Sequence, residues 1–129
     1  MAKTLAMVFG VVFVLVGILG FIPNPLVGME GLFETDAIHN IVHLLFGVIL
    51  IVAARASVAK AARWLLILGV VYLVLALLGF VMIPEEGELL GLVHMNHADH
   101  WLHVVLGVAL IGAGILGKKD GSTSTGPAM

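Results

Sequence analysis

The stretch that decides the fold is GLFETDAIHNIVHLLFGVIL, residues 31–50, because residues 91–110 repeat it in altered form as GLVHMNHADHWLHVVLGVAL. With an offset of sixty residues the two segments share several positions, including His43 with His103 and Gly47 with Gly107. All six histidines of the chain lie inside these segments. The repetition indicates two equivalent halves, and the histidines mark the place where a site would lie.

The composition indicates a membrane protein. Of the 129 residues, 61% are hydrophobic and 11% are charged, whereas a soluble domain is about half apolar and about a quarter charged. Four apolar runs are each close to the roughly 20 residues with which a helix crosses about 30 Å of hydrocarbon. They occupy residues 5–22, 37–54, 64–83 and 98–116. We therefore predict an all-α membrane protein, a bundle of four transmembrane helices.

The distribution of charge predicts an orientation. The basic residues lie before run one, between runs two and three, or after run four; they are Lys3, Arg55, Lys60, Arg63, Lys118 and Lys119. All but one of the acidic residues lie in or beside the other two connections. Because Lys and Arg in short loops mark the cytoplasmic face, we predict a multi-pass protein of the cytoplasmic (inner) membrane. Both termini are then cytoplasmic, and the histidine-bearing loops lie on the outer face.

A second internal match extends the repeat to the whole bundle. The segment GVVFVLVGILGFI, starting at Gly10, resembles GVVYLVLALLGFV, starting at Gly69. We predict two parallel helical hairpins, residues 1–58 and 59–117, related by a pseudo-two-fold axis along the membrane normal. Together they form one domain, residues 1–117. The polar composition of residues 118–129 predicts a disordered cytoplasmic tail.

Local signals place the helix ends. Asp36 is a predicted N-cap of helix two, and residues 57–62 are a predicted link before helix three, which Trp64 opens. In helix four, small residues four positions apart predict a packing stripe, since small side chains let membrane helices approach closely. The stripe is Ala109, Ala113 and Gly117.

The histidine segments favour a structural interpretation. Asp36, His39 and His43 are spaced three and four apart, so they share one helix face. Helix four offers a corresponding polar face. The predicted polar clamp consists of Asp36, His39, Asn40, His43, Asn96, Asp99, His100 and His103, which hydrogen-bond between helices while Gly47 and Gly107 permit close packing. Asp99 is expected to bond a ring N–H of His39 or His103.

Two ligand-binding interpretations compete with the clamp. Because the chain has no cysteine, a metal must be held by imidazole and carboxylate, and the candidate set is His39, His43 and His103 with Asp99 or His100. Alternatively His43 and His103, each with a glycine one turn deeper, ligate haem or carry a chlorophyll-type pigment. His94 and His97 are expected to be solvated loop residues, with metal capture or pH sensing as alternative roles.

Catalysis is not expected. The segment HNIVH at residues 39–43 lacks the glutamate of the HExxH metalloprotease motif, and the chain carries no other catalytic motif.

Two motifs carry a family resemblance. In the first half it lies in His39-Asn40-x-x-His43-Leu44-x-x-Gly47, and in the second in Asn96-x-x-Asp99-x-x-Leu102-His103-x-x-Leu106-Gly107. They resemble the bacterial four-helix membrane family catalogued as domain-of-unknown-function family 4383. The resemblance implies a compact four-helix bundle in the cytoplasmic membrane and implies no activity. Position 100 is histidine where the family is expected to favour asparagine, which adds a possible ligand.

The leading functional hypothesis is an accessory or interaction subunit of a larger membrane assembly. Its expected partners are the lipid bilayer and either further copies of the chain or other membrane-protein subunits. The alternatives are the metal- or tetrapyrrole-binding protein described above and, with less support, a small transporter that acts as an oligomer. Nothing in the sequence predicts nucleic-acid binding.

Overall fold

The protein consists mainly of four long helices. Its structure is a computed structural model that describes residues 1–123, with side chains described as far as Lys118. The helices are α1 (Ala2–Leu19), α2 (Ala37–Ala56), α3 (Val58–Met82) and α4 (His97–Thr123). Each is long and apolar enough to span a membrane. The length and composition of these helices confirm the prediction of four helices able to span a membrane.

Short strands in two connections correct the all-α prediction. Strands β1 (Val27–Gly28) and β2 (Phe33–Glu34) form a parallel pair between α1 and α2. Strands β3 (Glu86–Leu89) and β4 (Val93–Asn96) form an antiparallel hairpin between α3 and α4. Both connections lie at the end of the bundle that carries the histidines, which we call the histidine end. The fold is therefore mostly helical, with this end capped by short strands.

Two helix boundaries differ from the sequence prediction. Helix α3 begins at Val58 because Ser57 is its N-cap, with the Ser57 hydroxyl accepting from the Lys60 amide at 3.0 Å. The predicted link over residues 57–62 and the start at Trp64 are therefore wrong; the alanine-rich segment before Trp64 favours helix. Helix α4 continues to Thr123, so residues 118–123 are helical rather than a disordered tail. Residues 124–129 of that predicted tail lie outside the described part of the chain.

Glycines bring neighbouring helices into backbone contact. A Cβ added at Gly47 of α2 would lie 2.7 Å from the carbonyl oxygen of Gly10 in α1. A Cβ added at Gly69 of α3 would lie 3.0 Å from the carbonyl oxygen of Gly107 in α4. These contacts join α1 to α2 and α3 to α4 at a distance that only glycine permits. In lipid such close packing stabilises helix pairs because burial from water is no longer the driving force.

The centre of the bundle is apolar, and so are the surfaces that face outward. Its largest buried apolar side chains include Phe13, Leu50, Leu65, Tyr72 and Leu110. Of the stripe predicted in α4, Ala113 is buried and Gly117 packs against Ala2 of α1, while Ala109 faces outward. Exposed Val, Leu and Ile side chains cover the outward faces of all four helices. A surface of this kind suits contact with lipid tails rather than water.

The β3–β4 hairpin contains a strained turn. Leu90 has φ of 56°, and the following Gly91 has φ of 71°. The left-handed conformation costs a bulky L-residue about 1–2 kcal/mol, while asparagine tolerates it better. Turns with this conformation usually carry asparagine or glycine. Because position 90 is leucine, the sequence gives no sign of the hairpin turn.

We expect Leu90→Asn to stabilise the hairpin by about 1 kcal/mol, since it relieves this strain. The measurement is amide hydrogen exchange across β3 and β4, which should slow in the variant. Leu92→Asn makes the same chemical change at a position without positive φ and should not slow exchange. Equal or faster exchange in Leu90→Asn than in the unaltered chain would contradict the assigned strain.

Candidate functional site

Asp36 joins the start of α2 to the β3–β4 hairpin. Its Oδ1 accepts a hydrogen bond from the His39 amide at 2.8 Å, which confirms the predicted N-cap. Its Oδ2 accepts from the amide of His94 in β4 at 3.2 Å. A carboxylate is favoured at this place by the positive end of the helix dipole. One side chain therefore both begins a helix and fixes a strand from the other half of the chain.

Two histidines of α2 reach backbone carbonyl groups of other elements. The Nδ1–H of His39 donates to the carbonyl oxygen of His94 at 2.9 Å. The Nδ1–H of His43, one turn deeper, donates to the carbonyl oxygen of Phe13 in α1 at a long 3.5 Å. Both rings are buried. The two histidines thus connect α2 to β4 and to α1.

Asp99 and Asn96 cap the start of α4 reciprocally. Asp99 Oδ2 accepts from the Asn96 amide at 2.8 Å, and Asn96 Oδ1 accepts from the Asp99 amide at 3.0 Å. The arrangement satisfies backbone donors that a helix start leaves free, as a capping box does. The expected bond between Asp99 and His39 or His103 is not formed among the described side chains, because the Asp99 carboxylate serves the backbone of its own helix start.

His100 and Asn40 occupy space left by glycines on the neighbouring helices. A Cβ added at Gly79 of α3 would collide with the His100 ring, and one added at Gly20, after α1, would collide with the Asn40 amide group. The Nε2–H of His100 donates to the carbonyl oxygen of Ile83, the C-cap residue of α3, at 2.7 Å. His100 is fully buried. A side chain of α4 therefore satisfies a carbonyl group at the C-terminal end of α3.

Four rings meet in the interior of the histidine end. The ring centroid of His39 lies 6.0 Å from that of His43 and 5.7 Å from that of His103. The Tyr72 ring lies 6.1 Å from His43 and 5.2 Å from His103. His43 and His103 are therefore brought to one place, but each contacts His39 and Tyr72. Tyr72 was not among the predicted site residues because it sits in an apolar run.

A cavity of about 20 Å³ adjoins these rings. It is lined by ten residues, among them Thr35, His39, Asn40, His43, Asp99 and His103. Among the described side chains, Thr35 Oγ1 and the Nδ1 atoms of His100 and His103 are buried without a hydrogen-bond partner. A space of this size admits one water molecule, which is the simplest partner for the Thr35 and His103 atoms. Thr35 gave no sequence signal, since a lone threonine before a helix is common.

The predicted metal set is not assembled for coordination. Among the described residues, the one group whose possible ligand atoms all lie within 4.8 Å of one another is Glu34, Glu86 and His94. His39, His43, His103 and Asp99 share the interior without meeting that distance. His39 and His43 use Nδ1 for backbone hydrogen bonds, which leaves their Nε2 atoms free, and Asp99 accepts from the Asn96 amide.

The predicted tetrapyrrole site does not fit the packing. Gly47 faces the backbone of α1 at Gly10, and Gly107 faces Leu73 and the backbone of α3 at Gly69. The space below each histidine, which the macrocycle would need, is filled by a neighbouring helix. A second cavity beside His43 and His103 is apolar and measures about 180 Å³, below the roughly 300–1,000 Å³ of pockets for drug-sized ligands. The chain's own helices occupy the place proposed for the ring.

A polar cluster that the sequence did not reveal links the two connections. The Nε2–H of His94 donates to Glu34 Oε1 at 3.2 Å, and the Asn96 amide group donates to Glu34 Oε2 at 3.1 Å. The Asn96 amide group also donates to the carbonyl oxygen of Leu32 at 2.9 Å. The hydrogen bond from His94 lowers the pKa of Glu34 from its ordinary value of 4.5. His94 was expected to be solvated; its side chain is in fact only 21% exposed.

Glu34 should make the stability of the chain sensitive to acid. Because its pKa is lower in the folded state, its contribution is present above about pH 4.5 and is lost as pH falls through the lowered value. We expect Glu34→Gln to flatten the loss of stability below pH 4.5, measured by unfolding in detergent with EDTA present. Glu30→Gln removes the same charge from the same connection and should keep the original pH profile. An unchanged profile in Glu34→Gln would contradict the role of the His94 bond.

A comparison with protein families gives one result. The family model described as Domain of unknown function (DUF4383) matches residues 3–116, which includes α2 and α3 and most of α1 and α4. No curated protein and no solved structure gives a significant match.

Proposed function

The chain belongs to the DUF4383 family. We propose that it is a non-enzymatic accessory or interaction subunit of a larger membrane assembly, a role supported by the large apolar side chains exposed on the outward faces of all four helices. Its histidines, acids and amides form a structural clamp at the histidine end. The clamp holds the helix ends and their connections in one arrangement. The outward helix faces remain available to lipid and to other membrane-protein subunits.

One observation carries the clamp: three of the four buried histidines hydrogen-bond to backbone carbonyl groups of other elements, while His103 Nδ1 has no partner among the described side chains. His39 bonds to β4, His43 to α1 and His100 to the end of α3. In each pair the carbonyl oxygen is the acceptor, so the imidazole N–H is used as a donor. Such contacts are worth roughly 1 kcal/mol each in membrane proteins. These bonds alone do not separate a clamp from a metal site, because a metal-ligating histidine also donates its other ring N–H to such partners. The clamp is preferred because, among the described residues, these histidines do not form a group whose ligand atoms all lie within 4.8 Å of one another.

The proposed architecture is a pair of parallel hairpins about a pseudo-two-fold axis. Phe13 and Tyr72, which correspond in the two halves, contact each other with ring centroids 5.5 Å apart. Glu34 and His94 also correspond, and they are hydrogen-bonded. Residues that correspond and touch must lie close to such an axis. The corresponding contacts of Gly20 with Asn40 and of Gly79 with His100 support the same proposal.

The proposed orientation places both termini in the cytoplasm and the histidine end outside, in the cytoplasmic membrane. Lys3, Arg55, Lys60, Arg63 and Lys118 lie at helix ends opposite the histidine end. Segregation of basic residues to one end is the charge pattern that fixes orientation during insertion.

The subunit role is testable with a photo-crosslinking amino acid placed on one outward face at a time. Suitable positions are Leu15, Leu45, Leu77 and Val108, which lie on α1 to α4 respectively and are each more than half exposed. We expect protein adducts of one defined mass from one or two faces in native membranes, with lipid adducts from the rest. An adduct of twice the chain's mass identifies a homo-oligomer, and another mass identifies a different subunit.

A control and a contradicting outcome complete this test. Phe13, which is buried in the core, should give no protein adduct when it carries the same crosslinker in a folded variant. The proposed role is wrong if none of the four outward positions gives a protein adduct and the solubilised protein is monomeric. The alternative of a small transporter requires an oligomer that encloses a polar path. Lipid adducts from all four outward faces would exclude such an oligomer as well.

A further inference from the structure

We propose that Glu34, Glu86 and His94 form a binding site for a divalent transition-metal ion at the histidine end. Their possible ligand atoms, a carboxylate oxygen from each glutamate and an imidazole nitrogen, all lie within 4.8 Å of one another. This inference is independent of the subunit role, since the site lies in the connections and not on the helix faces that would meet a partner.

Three separate strands build the site. Glu34 ends β2, Glu86 begins β3 and His94 lies in β4. The hairpin register pairs Glu86 with Asn96, and side chains directly opposite in an antiparallel pair lie on the same face. Asn96 in turn donates to Glu34 Oε2. The hairpin therefore brings Glu86 and His94 together, and tertiary packing of the two connections adds Glu34 from a distant part of the chain.

The surrounding hydrogen bonds orient two of the ligands. The bond from Asn96 holds one oxygen of Glu34 and leaves Oε1 directed at His94. Asp36 fixes the backbone of His94 by accepting from its amide. Partners of this kind orient metal ligands and often change affinity by about 10–100-fold. The side chains of Glu34 and His94 are only 26% and 21% exposed, so their freedom is limited.

The local charge favours a cation. Two carboxylates stand together, yet residues 20–36 and 83–99 contain no lysine or arginine. Among the three residues of the cluster, only His94 can carry a positive charge. A divalent ion would balance both carboxylates at once.

The donor set indicates the class of ion. Imidazole nitrogen suits zinc, copper, nickel and iron, and carboxylates are common additional ligands for zinc. Three protein ligands leave a position for water, as in open zinc sites. To coordinate through Nε2, the neutral His94 ring moves its proton to Nδ1, so no other group needs to take it. Zinc is therefore the appropriate probe.

The test is a calorimetric titration of Zn²⁺ into the full chain in nanodiscs of zwitterionic lipid. We expect one ion per chain, with binding weakened at least tenfold by Glu86→Gln and by His94→Gln. Glu86 is exposed, so Glu86→Gln should fold normally. The matched controls are Glu30→Gln and His97→Gln, which alter the same side-chain types at the histidine end but outside the cluster and should leave affinity unchanged.

Three outcomes would overturn the proposal. The first is an absence of stoichiometric zinc binding, which would leave a simple His94–Glu34 ion pair. The second is an equal loss of affinity in the control variants, which would mean diffuse attraction to the acidic connections. The third is binding that His103→Ala removes and Glu86→Gln leaves intact, which would place the ion among the interior histidines.

Discussion

Replacement of Gly47 by valine is expected to destabilise the bundle by about 3 kcal/mol or more. The new Cβ would lie 2.7 Å from the carbonyl oxygen of Gly10 and 2.8 Å from the amide nitrogen of Val14. Both atoms belong to the backbone of α1, so no side chain can rotate away. Overpacking of this kind usually costs about 1–3 kcal/mol, and more when the backbone must move.

The measurement is the free energy of unfolding in mixed detergent and SDS micelles. Gly112→Val is the control, because a Cβ at Gly112 of α4 has no atom of another element within 4 Å. It should change stability by less than about 1 kcal/mol, since valine is a better helix former than glycine. Equal effects of the two substitutions would show that the α1–α2 contact is not as close as described.

His100→Ala should have the second-largest effect, a loss of about 3 kcal/mol. The substitution removes the donor that satisfies the Ile83 carbonyl oxygen at 2.7 Å and leaves a cavity where a fully buried ring stood. An unsatisfied buried group costs about 1–3 kcal/mol, and a cavity of this size adds to that cost. Unfolding in mixed micelles measures the sum.

Two further variants separate the hydrogen bond from a general loss of histidine. His97→Ala removes a ring from the same helix whose hydrogen bonds, to the Pro84 carbonyl oxygen and from the Trp101 indole N–H, are exposed. Because water can replace exposed partners, it should cost less than about 1 kcal/mol. His100→Asn restores a side-chain donor, as at the corresponding Asn40, and should recover part of the loss. A His100→Ala variant as stable as His97→Ala would argue against the clamp.

The features predicted correctly from sequence are those with a local physical cause. The four helices follow from continuous apolar runs, and Asp36 follows from the preference of helix starts for a carboxylate. Glycines 47 and 107 were recognised as packing positions because small residues have few other uses in a membrane helix. Their partners, Gly10 and Gly69, could not be paired with them, because the rotation of each helix is a tertiary property.

The features that were missed depend on tertiary contacts or on conformations that run against local preference. Leu90 adopts a left-handed conformation that its residue type disfavours, so the hairpin left no signal. Glu34 and His94 meet across sixty positions of sequence, and their contact depends on how the two connections pack. The sequence predicts a hydrogen bond from a histidine ring to Asp99, whereas the carboxylate accepts from the amide of Asn96, three residues before it.

In the proposed arrangement four helices cross the membrane and the histidine end lies outside. Because the chain has no cysteine, single cysteines can report on it without background. Glu88→Cys lies in β3 and Ala59→Cys lies near the start of α3, and both positions are exposed. In intact cells a membrane-impermeant maleimide should label Glu88→Cys alone, and Ala59→Cys should react only after the cells are permeabilised. The reverse pattern, or equal labelling of both variants before permeabilisation, would contradict this orientation.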